Sequence, residues 1–299
     1  MATFVETRTT WRELLDEEGL LQLPAAHDAL TARLIERAGF KAYQIGGFAL
    51  EASLYGFPDA DLTHLGEKSL GARRIMLASK LPCLVDADDG YGDAKNVTHT
   101  VEVYEALGAA AIFIEDQKPP KECGHMSGKV VVPAEAMVNK IKAAAEARSQ
   151  KERLFLLART DARAPEGLEE AIRRGAKYLE AGADGVYIEG PKSESELREV
   201  GKAFSGAPLA TSILERGGVT PWTSPEAMKD MGFSMVLYPT SVLFRMTRAI
   251  ELELQALKNG QPLDEGESVD MKHFERVVDM QRWEHIQKKF RGGPNWDRD

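Results

Sequence analysis

Carboxylates gather behind the short apolar runs of this chain. VDADDGYGD at 85–93 places Asp86 and Asp88 two residues apart, and on an extended backbone such a pair points the same way. AAIFIE at 110–115 ends on Glu115, with Asp116 next, and DGVYIE at 184–189 ends on Glu189. Converging carboxylates repel one another unless a cation lies between them. An all-oxygen set completed by water suits Mg²⁺ or Mn²⁺ rather than zinc. Taken alone, D-x-D-D-G also reads as a turn with helix-capping aspartates; Glu115 and Glu189 at neighbouring positions favour the metal. ARTDAR at 158–163 sets Arg159 beside Asp161. A guanidinium fork suits a substrate carboxylate or phosphate, its structural alternative being to neutralise the acidic residues around it.

A second kind of chemistry lies in KECGHMSGK at 121–129. Buried cysteines usually act as small hydrophobes, and Cys83, inside LPCLV, fits that description. Cys123 instead stands among Lys121, Glu122, Gly124 and His125. Lys121 and His125 would lower its pKa and Glu122 would raise it. The connection is long for one between a strand and a helix, and long loops often serve as lids. A thiol there can be a nucleophile or a general acid or base. No second member of a nucleophilic triad is evident, so proton transfer is the expected role.

The elements that must hold these groups recur regularly. Apolar runs of strand length stand at 20–25, 42–45, 81–87, 110–115, 154–158, 184–189, 207–213 and 234–239. Helical patterns lie between most of them. Leu30, Leu34 and Ala38 share a face, as do Leu168, Ile172, Gly175 and Leu179; Pro133 opens a helix lined by Met137, Ile141 and Ala144. Continuously apolar strands mean a buried parallel sheet. Eight strand–helix units predict an α/β fold, a closed (β/α)8 TIM barrel, with an open doubly wound sheet as the alternative. In a barrel the site is built at the C-terminal ends of the strands. Those ends carry His27 and Asp28; Gly46 and Gly47; Asp86 and Asp88; Glu115; Arg159 and Asp161; Glu189; Ser212; and Pro239 with Thr240. Charge scattered at random would not favour one rim. A barrel domain is expected over 1–255 and a helical extension and tail over 256–299. Two helical stretches, 241–260 and 268–290, exceed what a barrel needs. The second carries Met271, Phe274, Val278 and Trp283, an apolar stripe that must bury itself on a partner subunit or on its own barrel.

Composition narrows the class. Charged residues make up 28% and hydrophobic ones 43% of 299 residues, ordinary for a globular protein. The net charge of −9 argues against a nucleic-acid or anionic-membrane surface. No apolar run reaches membrane length and the N-terminus is too charged for a signal peptide, so a cytoplasmic location is expected. Two cysteines do not make a disulfide framework.

K-x-C-G-H after E-D-Q, with D-A-D-x-G-Y-G before it, resembles the isocitrate lyase and phosphoenolpyruvate mutase superfamily. P-A-x-x-D-A-L near the start, G-F-P-D at 56–59, A-R-T-D-A at 158–162 and T-P-W at 220–222 fit the same pattern over roughly residues 8 to 250. Methylisocitrate lyase, dimethylmalate lyase and carboxyphosphonoenolpyruvate mutase are the members it is most similar to. The resemblance implies a barrel, commonly a homotetramer that exchanges a C-terminal helix. It implies that Asp86 and Asp88 hold Mg²⁺, partly through water, with Glu115 completing the shell. Arg159 and Glu189 would contact substrate oxygens, Gly46 and Gly47 would offer backbone N–H groups, and Asp59 would lie close to metal and substrate. Cys123 would protonate the carbanion left by C–C cleavage, with Lys121, Gly124 and His125 shaping its loop. The expected activity is cleavage of a 2-alkylmalate or methylisocitrate-like 2-hydroxy acid to a 2-oxo acid and a carboxylic acid. Oxaloacetate hydrolysis or decarboxylation and phosphonate-type mutase chemistry share the same platform. An inactive binding scaffold would be expected to lose Asp86, Asp88 or Cys123. The chain departs from the pattern at Glu122, at Met126, at Gly46-Gly47-Phe48 and at Ser212, where lyases commonly carry asparagine. These changes bear on the substrate, a small anionic 2-hydroxy or 2-oxo dicarboxylate, and not on the metal.

Overall fold

The computed structural model describes residues 9–124, 128–262, 266 and 268–291. In chain order the elements open with α1 (Trp11–Glu18), β1 (Leu21–Pro24), α2 (Ala29–Arg37), β2 (Tyr43–Ile45), α3 (Gly47–Tyr55) and α4 (Leu65–Met76). The middle comprises β3 (Cys83–Asp86), α5 (Ala94–Leu107), β4 (Ala111–Glu115), α6 (Ala134–Ala147), β5 (Phe155–Thr160) and α7 (Leu168–Glu180). There follow β6 (Gly185–Ile188), α8 (Glu194–Ala203), β7 (Leu209–Ser212), α9 (Pro225–Asp230) and β8 (Met235–Tyr238). The last three are α10 (Ser241–Lys258), α11 (Met271–Val277) and α12 (Met280–Phe290).

Every residue of β2 to β8 is buried, which is why these strands read as unbroken apolar runs. All strand pairs are parallel, in the order β1-β8-β7-β6-β5-β4-β3-β2. Because β1 lies beside β8, the first and last strands are neighbours, as a barrel requires and an open doubly wound sheet does not. The seam between β1 and β2 closes through an Ala25–Gln44 bridge, and Gln44 Nε2 donates to the Leu23 carbonyl at 3.1 Å. The expected (β/α)8 barrel is the observed fold.

Strand residues alternate between two layers. Leu84, Ala111, Phe113, Phe155, Leu157, Tyr187 and Ala210 pack inside the barrel, with Trp11, Leu14 and Leu15 of α1 in the same cluster. Their neighbours Val85, Ile112, Ile114, Leu156 and Ala158 pack outward with Ile35, Ile75, Val101, Met137 and Ile141 of the helices. The inward parity continues from Leu84 to Asp86, Phe113 to Glu115, Leu157 to Arg159, Tyr187 to Glu189 and Ala210 to Ser212. Interior apolar layers therefore end in a polar layer, all of it on one rim.

Two helix expectations change. In α2 the buried residues are Thr31, Ala32 and Ile35, while Leu30 and Leu34 remain exposed. The barrel meets the helix one step round from the Leu30–Leu34 line. The stretch 268–290 is not one helix, because Asp279 takes a left-handed φ of 57° and separates α11 from α12. By contrast, Met137, Ile141 and Ala144 of α6 are fully buried, as their spacing predicts.

The chain divides into two compact units, Met1–Phe244 and Arg245–Asp299. The second exposes Ile250, Leu254, Leu257, Met271, Phe274 and Trp283. Among the described residues no helix is long and apolar enough to cross a membrane.

Candidate active site

The polar rim of the barrel forms a narrow pocket of about 40 Å³. Gly46, Gly47, Phe48, Asp59, Asp86, Cys123, Gly124, Arg159, Glu189 and Ser212, all singled out in the sequence, line it. Asp88, Glu115 and Lys121 are not in its lining but are buried among the side chains that support it. His125 and Met126 lie outside the described residues. Phe48 packs edge-on against Phe244, with ring centroids 6.1 Å apart.

Asp86 and Asp88 do meet, but not through strand pleating. β3 ends at Asp86, and Asp88 sits in a turn with φ of 47°. Its own N–H donates to Asp86 Oδ1 at 3.0 Å, and its carbonyl accepts the N–H of Glu115 at 2.8 Å. The backbone of one aspartate thus ties the ends of β3 and β4 together. Gly47 N–H donates to Asp86 Oδ2 at 2.9 Å, and a Cβ at Gly47 would lie 3.3 Å from that carboxylate. Glycine here lets the start of α3 approach an anion closely.

Two lysines enter this cluster. Lys121 pairs with Asp59 at 2.7 Å and with Asp88. Lys68, from α4, pairs with Glu51 at 2.9 Å and donates to Asp88 Oδ2. Burial pushes the carboxyl of Asp88 up, but Lys121 and Lys68 together outweigh it and hold it well below the usual range. Burial raises Asp86, and the nearby Asp88 raises it further. Burial also drives Glu115 well above the carboxylate range despite the opposing charge of Arg159. Lys121 is held charged, because Asp88 and Asp59 outweigh the burial that would neutralise it.

Arg159 is bracketed on three sides. Its Nε and Nη2 donate to the two oxygens of Asp161 at 2.9 and 3.0 Å, Nη1 lies 3.3 Å from Glu115, and Nε lies 3.7 Å from Glu189. Beneath it are the rings of Phe113 and Tyr187, with centroids at 5.6 and 5.2 Å. This geometry fixes the guanidinium before any substrate arrives. Ser212 Oγ donates to Glu189 Oε1 at 2.7 Å.

The cysteine loop is pinned at its base. Gln117 bridges Val131, and the Gln117 side chain exchanges hydrogen bonds with the backbone of Glu122 at 2.9 and 3.1 Å. Lys129 donates to Asp161 Oδ1 at 2.9 Å and to the carbonyl of Gly124. A Cβ at Gly124 would meet Arg159 Nη2 at 2.3 Å and Glu189 at 2.8 Å, so the loop lies directly on Arg159 and Glu189. Cys123 is nearly buried, at 8% exposure, and faces the pocket.

Sequence reasoning missed Lys68, Glu51, Gln117 and Lys129. A signal existed for Lys68: it shares the buried face of α4 with Ala72 and Ile75, at i, i+4 and i+7. Glu51 is the single charge in the otherwise apolar helix GFALEASLY.

Among the described residues no three His, Cys, Asp or Glu side chains are placed to hold a metal by themselves. The lysines account for this, since both oxygens of Asp88 face an ammonium. A hard cation that keeps several waters still fits. Glu115 Oε1 is buried with no hydrogen-bond partner, and Asp86 and Asp88, which lie with it, offer carboxylate oxygens of the kind such a cation takes.

Residues 11–258 match the family model for phosphoenolpyruvate phosphomutase. The chain belongs to this family. It is 40% identical over 289 residues to the chloroplastic carboxyvinyl-carboxyphosphonate phosphorylmutase of Arabidopsis thaliana, covering 95% of this chain and 84% of that one. It is likewise 40% identical over 255 residues to the 2,3-dimethylmalate lyase of Eubacterium barkeri, covering 85% and 87%. A solved 2,3-dimethylmalate lyase, described as a PEP mutase/isocitrate lyase superfamily member, superimposes with a TM-score of 0.88 at 31% identity over 97% of this chain and 98% of that one. A phosphonopyruvate hydrolase solved with oxalate and Mg²⁺ gives 0.83 at 29% identity, covering 94% and 98%. The chain is thus an enzyme of the isocitrate lyase and phosphoenolpyruvate mutase superfamily.

Proposed function

We propose that this enzyme is a divalent-metal-dependent carbon–carbon lyase. It cleaves a small 2-hydroxy dicarboxylate of the 2-alkylmalate or methylisocitrate type to a 2-oxo acid and a carboxylic acid. The observation that carries the reading is Cys123, nearly buried and lining one pocket with Arg159 and Glu189. Mutase and hydrolase chemistry on this platform has less need of an acid at that place.

Asp86 would hold Mg²⁺, or Mn²⁺, with Asp88 and Glu115 acting through water. When bound, the ion supplies positive charge against the 2-hydroxy carboxylate end of the substrate. Arg159, charged and preoriented, faces the substrate oxygens and stabilises charge that grows during cleavage. The N–H of Gly47 is engaged with Asp86, so its part is to position that carboxylate. Asp59 lines the pocket, positioned there by its pairing with Lys121, and is assigned as acceptor of the hydroxyl proton. The C2–C3 bond then breaks and C2 becomes the carbonyl of the 2-oxo acid. The electron pair goes to C3, beside the second carboxylate, and Cys123 Sγ returns a proton there. Gly124 and, outside the described residues, His125 shape the loop that brings the thiol in. A thiol used this way must stay reduced, which agrees with a cytoplasmic location.

A second reading, hydrolysis or decarboxylation of oxaloacetate, draws on the likeness to a solved oxaloacetate acetylhydrolase, with a TM-score of 0.88 at 30% identity over 95% of this chain and 96% of that one. Product analysis separates the two, with Mg²⁺ and with EDTA: 2-oxo acid formed from 2-alkylmalates or 2-methylisocitrate, against oxalate and acetate, or pyruvate and CO₂, formed from oxaloacetate. The expected result is metal-dependent 2-oxo acid from an alkylmalate, abolished by EDTA. Reaction with oxaloacetate alone would transfer the assignment to the second reading.

We further infer a homotetramer formed by exchange of C-terminal helices. Its support is twofold. The barrel unit carries an apolar groove of about 410 Å³ lined by Leu34, Ile35, Phe40, Trp222, Tyr238 and Val242. The second unit leaves Ile250, Leu254 and Leu257 between 49% and 61% exposed, more than a lone chain would be expected to leave wet. Sedimentation should give four times the 33.0 kDa chain mass, and Leu254→Asp with Leu257→Asp should give a smaller species. A monomeric wild type at micromolar concentration would dismiss the exchange.

A further inference from the structure

Lys68 and Glu51 take no part in the reaction above, yet they are almost completely buried, at 1% and 0% exposure. They come from α4 and α3, on the outside of the barrel, and reach inward to its rim. Lys68 Nζ sits 2.9 Å from Glu51 Oε1 and donates to Asp88 Oδ2. Glu51 Oε1 is itself fixed by the hydroxyl of Thr63 at 2.6 Å. A Cβ on Gly47 would meet Lys68 Nζ at 3.1 Å and Asp86 at 3.3 Å, which places the ammonium beside the carboxylates of the rim.

Burying an ion pair is seldom a route to stability, since desolvation offsets the attraction. A pair retained at this depth calls for another use, and its geometry offers one. Asp88 is the residue whose backbone joins Asp86 to Glu115, and it sits in a left-handed turn that an aspartate enters only at some cost. Lys121 approaches one oxygen of its carboxylate from the cysteine loop, and Lys68 holds the other from α4. Lys121 belongs to a loop, whereas Lys68 belongs to the helical frame. Of the two lysines, Lys68 is the one that ties the Asp88 carboxylate to the helical scaffold.

We propose that Lys68, braced by Glu51, is a positioning residue. It holds Asp88 in the orientation from which that carboxylate orients the water shell of a divalent cation. This rests on the metal reading above. Together the pair is electrically neutral, so it contributes orientation without altering the charge of the site. Partners of this kind behind a metal shell are worth about 10- to 100-fold in metal affinity or activity.

The test is a Mn²⁺ titration of the full chain, read by the electron paramagnetic resonance of free Mn²⁺, with thermal unfolding alongside. In Lys68→Met with Glu51→Met the charge is conserved and the tether is lost. Its Kd for Mn²⁺ should rise about 10-fold or more. In Glu51→Gln the tether remains while the charge changes, and Kd should stay within about threefold of wild type, well short of that loss. An unchanged Kd in a folded double variant overturns the proposal. So does a 10-fold loss in Glu51→Gln, which decides the matter even if the double variant does not fold. Failure of the wild type to bind Mn²⁺ at all is a different outcome: it removes the metal reading, and this inference with it.

Discussion

Cys123→Ser is expected to lower turnover of the 2-hydroxy acid by about 10²- to 10⁴-fold, the usual worth of a positioned general acid. KM should change little. The thiol titrates near 8.5 when unperturbed, whereas a hydroxyl in the same place is a far weaker acid, so the protonation step slows while the binding groups persist. Serine is close to cysteine in size and the site is nearly closed, so the fold should be indifferent to the exchange. Coupled detection of the released 2-oxo acid under saturating substrate measures the effect directly. Full activity in the serine variant would eliminate Cys123 as the proton donor and bring the hydrolase reading forward. Isotope incorporation adds a second readout. In D₂O the carboxylic acid product should carry one deuterium at the carbon that was C3, and the serine variant should lose the stereochemical bias of that label.

Arg159→Met should damage both activity and stability. Arg159 is the cation shared by Asp161, Glu115 and Glu189. Methionine would fill part of the space over Phe113 and Tyr187 but would leave the Asp161 and Glu189 carboxylates without it, while burial drives Glu115 toward its neutral form. Breaking a buried pair in this way destabilises by about 3–5 kcal/mol. Lys129 also pairs with Asp161, at 2.9 Å, so the lower end is expected. Denaturant unfolding should report the loss, and kcat/KM should fall by at least about 10²-fold, as expected when an electrostatic stabiliser of the transition state is removed. Arg159→Lys separates the two roles. It keeps the charge and most of the stability but loses the fork, so its defect should be chiefly catalytic. A methionine variant as stable as wild type would mean that the carboxylates are neutral in the folded protein.

The barrel and most of its rim were legible in the sequence because both obey a local rule. A buried parallel strand is apolar throughout, and the next inward position past its end must face the site. That two-residue period leads from Phe113 to Glu115 and from Tyr187 to Glu189 with no knowledge of what lies opposite. The place of Cys123 at the pocket was legible for a related reason, since a thiol within a polar, glycine-bearing loop has no core to fill. Three matters were decided only by tertiary structure. Asp86 and Asp88 converge through a left-handed turn, and Asp88 φ depends on hydrogen bonds made to the neighbouring strand end. Lys68 and Glu51 lie 17 positions apart on different helices, and Lys129 meets Asp161 across 32, so no local spacing announces either pair. Spacing puts Lys68 on the buried face of its helix with Ala72 and Ile75, but not beside Asp88. The apolar stripe of Met271, Phe274, Val278 and Trp283 was visible from its spacing, but spacing cannot name what covers it. Periodicity reports which side of an element avoids water, and only packing in three dimensions decides which side chains, from which part of the chain, meet it there.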